Sequence, residues 1–158
     1  MPARRYKSGI FGKRLAGTAI ALSGQQGPIK ETRKDRELVY SILVVDDEVN
    51  MLVMLDRILT KEGYAVHTDP DGNRALELIA QHKFSLAVVD IKMHPMDGLT
   101  LLGKIKESSR STQVIMMTGY SAADSHDRAM ENGAEAYLTK PLNIPTFKDL
   151  VRELCSAS

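Results

Sequence analysis

The chain has 158 residues, 43 % of them apolar and 26 % charged, which excludes a disordered or fibrous protein. Its single cysteine, Cys155, excludes an intramolecular disulfide and a cysteine-built metal site, and no run approaches the roughly 20 apolar residues of a membrane span. The net charge of +1 conceals a division: residues 1–37 carry nine basic side chains and three acidic ones, whereas residues 38–158 carry twelve basic and seventeen acidic. Five of the eleven glycines also fall before residue 38, and glycine at that density disfavours regular structure. The expectation is a flexible basic arm over 1–37 and one acidic domain over 38–158, in a reducing, cytoplasmic setting. For the arm the plainest reading is a solvated tail, with an electrostatic tether to anionic lipid or nucleic acid as the alternative. The apolar run at 15–22 is short for a secretory signal and contains Gly17.

From residue 41 short apolar runs alternate with amphipathic stretches. Ile42-Leu43-Val44-Val45 reads as a strand buried on both faces, and it stops abruptly in acid. Residues 48–62 place Met51, Leu52, Leu55, Ile58 and Leu59 at helical spacing, with Gly63 closing the helix. A second strand is expected over 64–68 and a second helix over 71–82, with Ala75, Leu76, Leu78 and Ile79 inward. A third strand over 84–89 again runs into an acid, Asp90, and a third helix spans 97–107. The fourth strand, 114–117, leads to a helix opened by Ser121, with Asp124 completing a capping box and Gly133 ending it. A fifth strand covers 136–139, and a last helix starts at Pro145 and reaches about Cys155. Five strand–helix units imply a doubly wound parallel sheet with helices on both faces, in which ligands gather at the carboxyl ends of the strands.

Those ends carry Asp46-Asp47-Glu48, Asp90, Thr118-Gly119 and Thr139-Lys140-Pro141. Singly, each has a plain explanation: Asp47 as a helix cap, Thr118 as a turn residue, Lys140 as a surface charge. Together they place several carboxylates on one rim, where repulsion calls for a cation or a proton. Oxygen donors of this kind suit Mg²⁺, which is bound by one or two carboxylates plus a phosphate. A nucleotide- or flavin-binding loop would instead present glycines and hydroxyls after the first strand. The Asp-Asp-Glu loop repels a free phosphate unless a metal intervenes, so the site wants a metal first and a phosphoryl group second.

With these residues in place, 38–158 closely resemble the receiver domain of two-component response regulators, in the manner of the chemotaxis-type single-domain regulators. The resemblance rests on Ile42-Leu43-Val44-Val45-Asp46-Asp47-Glu48, Val88-Val89-Asp90-Ile91-Lys92-Met93, Met96-Asp97-Gly98, Met117-Thr118-Gly119, Gly133-Ala134 and Tyr137-Leu138-Thr139-Lys140-Pro141. It implies a flavodoxin-like α/β fold with strand order 2-1-3-4-5. It assigns Asp90 as the phosphoacceptor, taking a phosphoryl group from the phosphohistidine of a sensor histidine kinase or a histidine phosphotransfer protein. Asp46, Asp47, Asp90 and the backbone carbonyl of Lys92 would hold Mg²⁺, with Asp47 a direct ligand. Lys140 would neutralise one phosphate oxygen and Thr118 would hydrogen-bond another. Tyr137 matches the aromatic that follows Thr118 in switching, and the Lys140–Pro141 peptide is typically cis, aiming the lysine inward.

Where the family has proline four residues after the acceptor, this chain has His94, with Pro95 following, and His94 reads as a solvent-facing loop residue. Tyr120 and Lys92 are expected to flank the pocket. The expected function is a phosphorylatable switch rather than an enzyme. It would have no DNA-binding domain, and its output face, toward an unidentified protein, would be the fourth helix, fifth strand and fifth helix. The alternatives are an intermediate phosphoryl carrier, a non-phosphorylated scaffold of the same fold, and a metal-dependent phosphatase.

Overall fold

The structure, a computed structural model, describes residues 39–119 and 123–157. The expected arm over 1–37, Tyr120 and the Ser121 end of the expected capping box lie outside these residues. Five strands, β1 (Ser41–Val45), β2 (Ala65–Asp69), β3 (Leu86–Asp90), β4 (Gln113–Thr118) and β5 (Ala136–Thr139), pair in parallel in the order β2-β1-β3-β4-β5. They alternate with helices α1 (Val49–Lys61), α2 (Gly72–Gln81), α3 (Gly98–Ser108), α4 (Ala123–Glu131) and α5 (Ile144–Ser156). This is the expected fold and strand order.

The continuous apolar runs are explained by burial on both faces. Ile42, Leu43, Val44 and Val45 are all fully buried, as are Leu86, Ala87, Val88 and Val89. Because side chains alternate along a strand, Leu43, Val45, Ala87 and Val89 join one core with α2, α3 and α4, through Ala75, Ile79, Leu102, Ile105 and Ala129. Ile42, Val44, Leu86 and Val88 join the opposite core with α1 and α5, through Leu52, Leu55, Leu59, Phe147 and Val151. Full burial of each such aliphatic side chain is worth about 1.5–3 kcal/mol, so the sheet is held from both sides.

Element ends depart from the sequence expectation where polar groups are satisfied inside the fold. The second strand runs to Asp69, not Thr68. Asp69 stands in register with Val45, and its buried carboxylate accepts the Asp71 N–H at 2.9 Å and faces Arg74 Nε at 3.2 Å. The third strand begins at Leu86. Phe84 before it is buried, but its carbonyl accepts the Thr112 hydroxyl at 3.0 Å instead of joining the ladder. Gly63 and Gly133 take φ values of 98° and 97° just past α1 and α4, a conformation that glycine adopts without penalty. Asn143 caps α5, accepting the Thr146 N–H at 2.9 Å, and Pro145 occupies its first turn.

Candidate functional site

Parallel strands bring their carboxyl ends to one edge of the sheet, and four of the five ends carry the candidate residues. Asp46 and Asp47 follow β1, Asp90 is the last residue of β3, Thr118 is the last residue of β4, and Lys140 follows β5. Adjacent strands keep these ends level: Asp90 is in register with Met117, and Thr118 with Thr139. The Lys140 N–H donates to the Thr118 carbonyl at 2.7 Å. The Lys140–Pro141 peptide is cis, as is His94–Pro95.

The side chains meet in an open pocket of about 590 Å³ lined by Asp46, Asp47, Glu48, Asp90, Lys92, Gly119 and Lys140. One carboxylate oxygen from each of Asp46, Asp47 and Asp90 lies within 4.8 Å of the others. Asp46 is fully buried, Asp90 nearly so, and Asp47 is exposed. Asp46 Oδ1 accepts the Glu48 N–H at 2.9 Å, while its Oδ2 accepts from Lys140 Nζ at 2.8 Å. The same ammonium stands 3.2 Å from Asp90 Oδ1 and 3.7 Å from Glu48 Oε1. Lys140 is therefore the resident cation of an acidic corner, not a surface charge. Asp47 is not a cap either: α1 is capped at Glu48, with no side-chain hydrogen bond.

The charges leave their mark on ionisation. Burial, then repulsion from Asp46, pushes the Asp90 carboxyl up from 3.8 to about 6, against the opposing pull of Lys140. Burial works against the charged form of Lys140, but its hydrogen bond to Asp46 and its attraction to Asp46 and Asp90 outweigh this and raise it above the ordinary lysine range. One ammonium is thus shared among several carboxylates, and the corner still holds more negative charge than it can easily carry. The donors are hard carboxylate oxygens, close enough together to share one ion, and this fits Mg²⁺.

Thr118 is buried at the end of β4, next in sequence to Gly119, which lines the pocket. Tyr137 stands farther off on β5. Burial pushes its phenol above the ordinary range, and the neighbouring Thr118 hydroxyl acts in the other direction. The Tyr137 hydroxyl oxygen is sequestered, with no well-formed hydrogen bond among the described residues. The Tyr137 ring packs edge-on against His126 of α4, centroids 5.1 Å apart. Lys92 lines the pocket as expected, and His94 is exposed. Glu48 was not singled out from the sequence as a site residue, although its place in the acidic run after β1 was the available signal.

Comparison with known proteins agrees with this fold. Residues 42–152 match the model of the response regulator receiver domain. Sporulation initiation phosphotransferase F of Bacillus subtilis is 31 % identical over 112 residues, covering 71 % of this chain and 90 % of that protein. The chain spans only 23 % of the transcriptional regulatory protein ZraR of Klebsiella oxytoca, to which it is 40 % identical over 102 residues. Among solved structures, a CheY-like receiver domain protein from Methanospirillum hungatei superposes with a TM-score of 0.74 at 32 % identity, covering 76 % of this chain and 96 % of that one. Response regulator protein TrrA from Thermotoga maritima, in complex with Mg(2+)-BeF, superposes at 0.67 with 32 % identity, covering 73 % and 99 %. Two doubly wound faces, an acidic corner around one inward lysine, and these matches over most of the described chain lead to one conclusion: the protein belongs to the response regulator receiver domain family of two-component signalling.

Proposed function

We propose that this protein is a phosphorylatable switch in which Asp90 accepts a phosphoryl group from a phosphohistidine on a sensor histidine kinase or a histidine phosphotransfer protein. The observation that carries the reading is the position of the Asp90 carboxylate, 3.2 Å from Lys140 Nζ and within 4.8 Å of the Asp46 and Asp47 oxygens. Asp46, Asp47 and Asp90, with the Lys92 backbone carbonyl, would hold Mg²⁺. When bound, this ion supplies positive charge for the transferred oxygens.

The protein's own groups do the rest. An Asp90 carboxylate oxygen forms the new bond to phosphorus as the phosphorus–nitrogen bond breaks, and the electron pair leaves with the imidazole. Attack needs the ionised carboxyl, a form that Lys140 and a bound cation both favour against burial and the repulsion from Asp46. Lys140 pairs with a phosphoryl oxygen, and Thr118 donates its hydroxyl to another. Phosphoryl transfer depends on positioning and charge neutralisation more than on further covalent help.

The dianion then adds a contact that the unmodified state lacks, and differential contact is what shifts a two-state equilibrium. Tyr137 between Thr118 and His126 would pass the change to a face made of α4, β5 and α5, which recognises a downstream protein. Similarity to sporulation initiation phosphotransferase F of Bacillus subtilis favours a second use of the same site, as a carrier that hands the group onward. Neither use needs catalytic turnover of a small substrate. Residues 1–37 would be a basic arm, with nine basic side chains against three acidic ones, and the setting cytoplasmic.

Incubation with acetyl phosphate tests the proposal. Intact-mass measurement should show gain of one phosphoryl group with Mg²⁺, none without it, and none in Asp90→Asn. Persistence of the gain in Asp90→Asn, or no gain in the wild type under conditions that load another receiver, would refute it.

A further inference from the structure

Gly98 opens α3, and nothing in the chemistry above uses it. A methyl group in place of its hydrogen would stand 2.1 Å from the Asp90 carbonyl oxygen, 2.8 Å from the Asp90 carbonyl carbon and 2.8 Å from the Ile91 Cα. Even a weak C–H···O contact keeps carbon and oxygen about 3.3–3.6 Å apart. The atoms in the way are all main chain at the end of β3, so no side chain can swing aside. The φ of Gly98 lies outside the left-handed region, so glycine is needed here for space and not for conformational freedom.

The same stretch is gripped from both sides. The Ile91 N–H donates to the Met117 carbonyl at 2.8 Å, and the Gly98 N–H donates to the Ile91 carbonyl at 2.8 Å. Asp97 then fixes the start of the helix: its Oδ1 accepts the Leu99 and Thr100 N–H groups at 3.0 Å each, and its Oδ2 accepts the Thr100 hydroxyl at 2.9 Å. A rigid helix end therefore rests directly on the backbone that carries Asp90.

We infer that Gly98 is a positioning residue for phosphoryl uptake: its lack of a side chain lets α3 seat against the Asp90–Ile91 peptide and so sets where the Asp90 carboxylate stands relative to Lys140, Asp46 and Asp47. This rests on the proposed role of Asp90. Gly103, on the same helix, has nothing within 4 Å of an added methyl, and it supplies the control. Gly103→Ala is expected to stabilise the helix and leave uptake at the wild-type rate.

In the double variant Gly98→Ala/Gly103→Ala the second change offsets part of the lost stability, and the uptake rate is read without urea at a temperature where circular dichroism shows the variant folded. That variant is expected to take up phosphoryl from acetyl phosphate at least about tenfold more slowly, since a 1 Å misplacement can cost on the order of 10²-fold. Its crystal structure is expected to show the Asp90–Lys140 contact, 3.2 Å here, opened. Uptake at the wild-type rate, or an Asp90 carboxylate that has not moved, overturns the inference. If the wild type itself takes up no phosphoryl group, the proposed function fails on its own account, and the crystallographic separation alone decides for Gly98.

Discussion

Asp90→Asn is expected to make the metal-free protein more stable at about pH 7.5, by about 1–3 kcal/mol, with the gain fading as the pH falls toward about 4. The sign follows from the direction of the shift. The folded-state carboxyl titrates at about 6 against an ordinary 3.8, so between these values the folded chain binds more protons than the unfolded one. Stability from this group therefore falls as pH rises through that window, and the full cost of its charge is present above it. The distance between the two values corresponds to about 3 kcal/mol, a figure that already includes the attraction to Lys140 and is the upper end of the expected gain. Asparagine keeps the shape and removes both the buried charge and its repulsion with Asp46. Urea unfolding at several pH values measures the difference. A gain that grows on acidification, or no gain at neutral pH, would contradict the electrostatic picture of the corner.

Lys140→Met should act in the opposite direction. Lys140 is the cation shared by Asp46 and Asp90, and it stands 2.8 Å from a carboxylate that is fully buried. Removing one partner of a buried pair costs about 3–5 kcal/mol, because the other charge is left uncompensated. The pocket is open to water on one side, which reduces the expectation to about 2–4 kcal/mol. Asp90 should then titrate above 6, since Lys140 is what holds it down. Millimolar Mg²⁺ should recover part of the lost stability by supplying charge to the same oxygens. Phosphoryl uptake should fall as well. A Lys140→Met protein as stable as wild type without metal would show that the ammonium is not compensating the buried acids.

The fold was legible because its signals are coarse and repeated. Apolar runs such as Ile42-Leu43-Val44-Val45 and Leu86-Ala87-Val88-Val89 are short, rich in branched residues and covered on both sides as strands, and the stretches between them carry helical spacing. Strand ends were less legible, because a polar residue such as Asp69 reads as a break until Arg74 and the Asp71 amide are seen to satisfy it. The acids, hydroxyl and lysine of the site were readable as strand-end residues, and parallel pairing does the work of gathering them. What could not be read was how they divide the labour in the corner. Asp46 is spent on Lys140 and the Glu48 amide, while Asp47 stays exposed. Thr118 is buried, so its hydroxyl is far less open to water than the Asp47 carboxylate. Gly98 was visible only as part of a motif, since a missing side chain signals nothing until the atoms it makes room for are located.

Central to the account is that Asp46, Asp47 and Asp90 form one cation-binding corner. Calorimetric titration of the metal-free protein with Mg²⁺ near neutral pH tests this most directly. The expected result is uptake at a single site by wild type, strongly weakened in Asp47→Asn, whose exposed carboxylate can be removed without disturbing the core. No detectable uptake by the wild type, or equal uptake by Asp47→Asn, would contradict it.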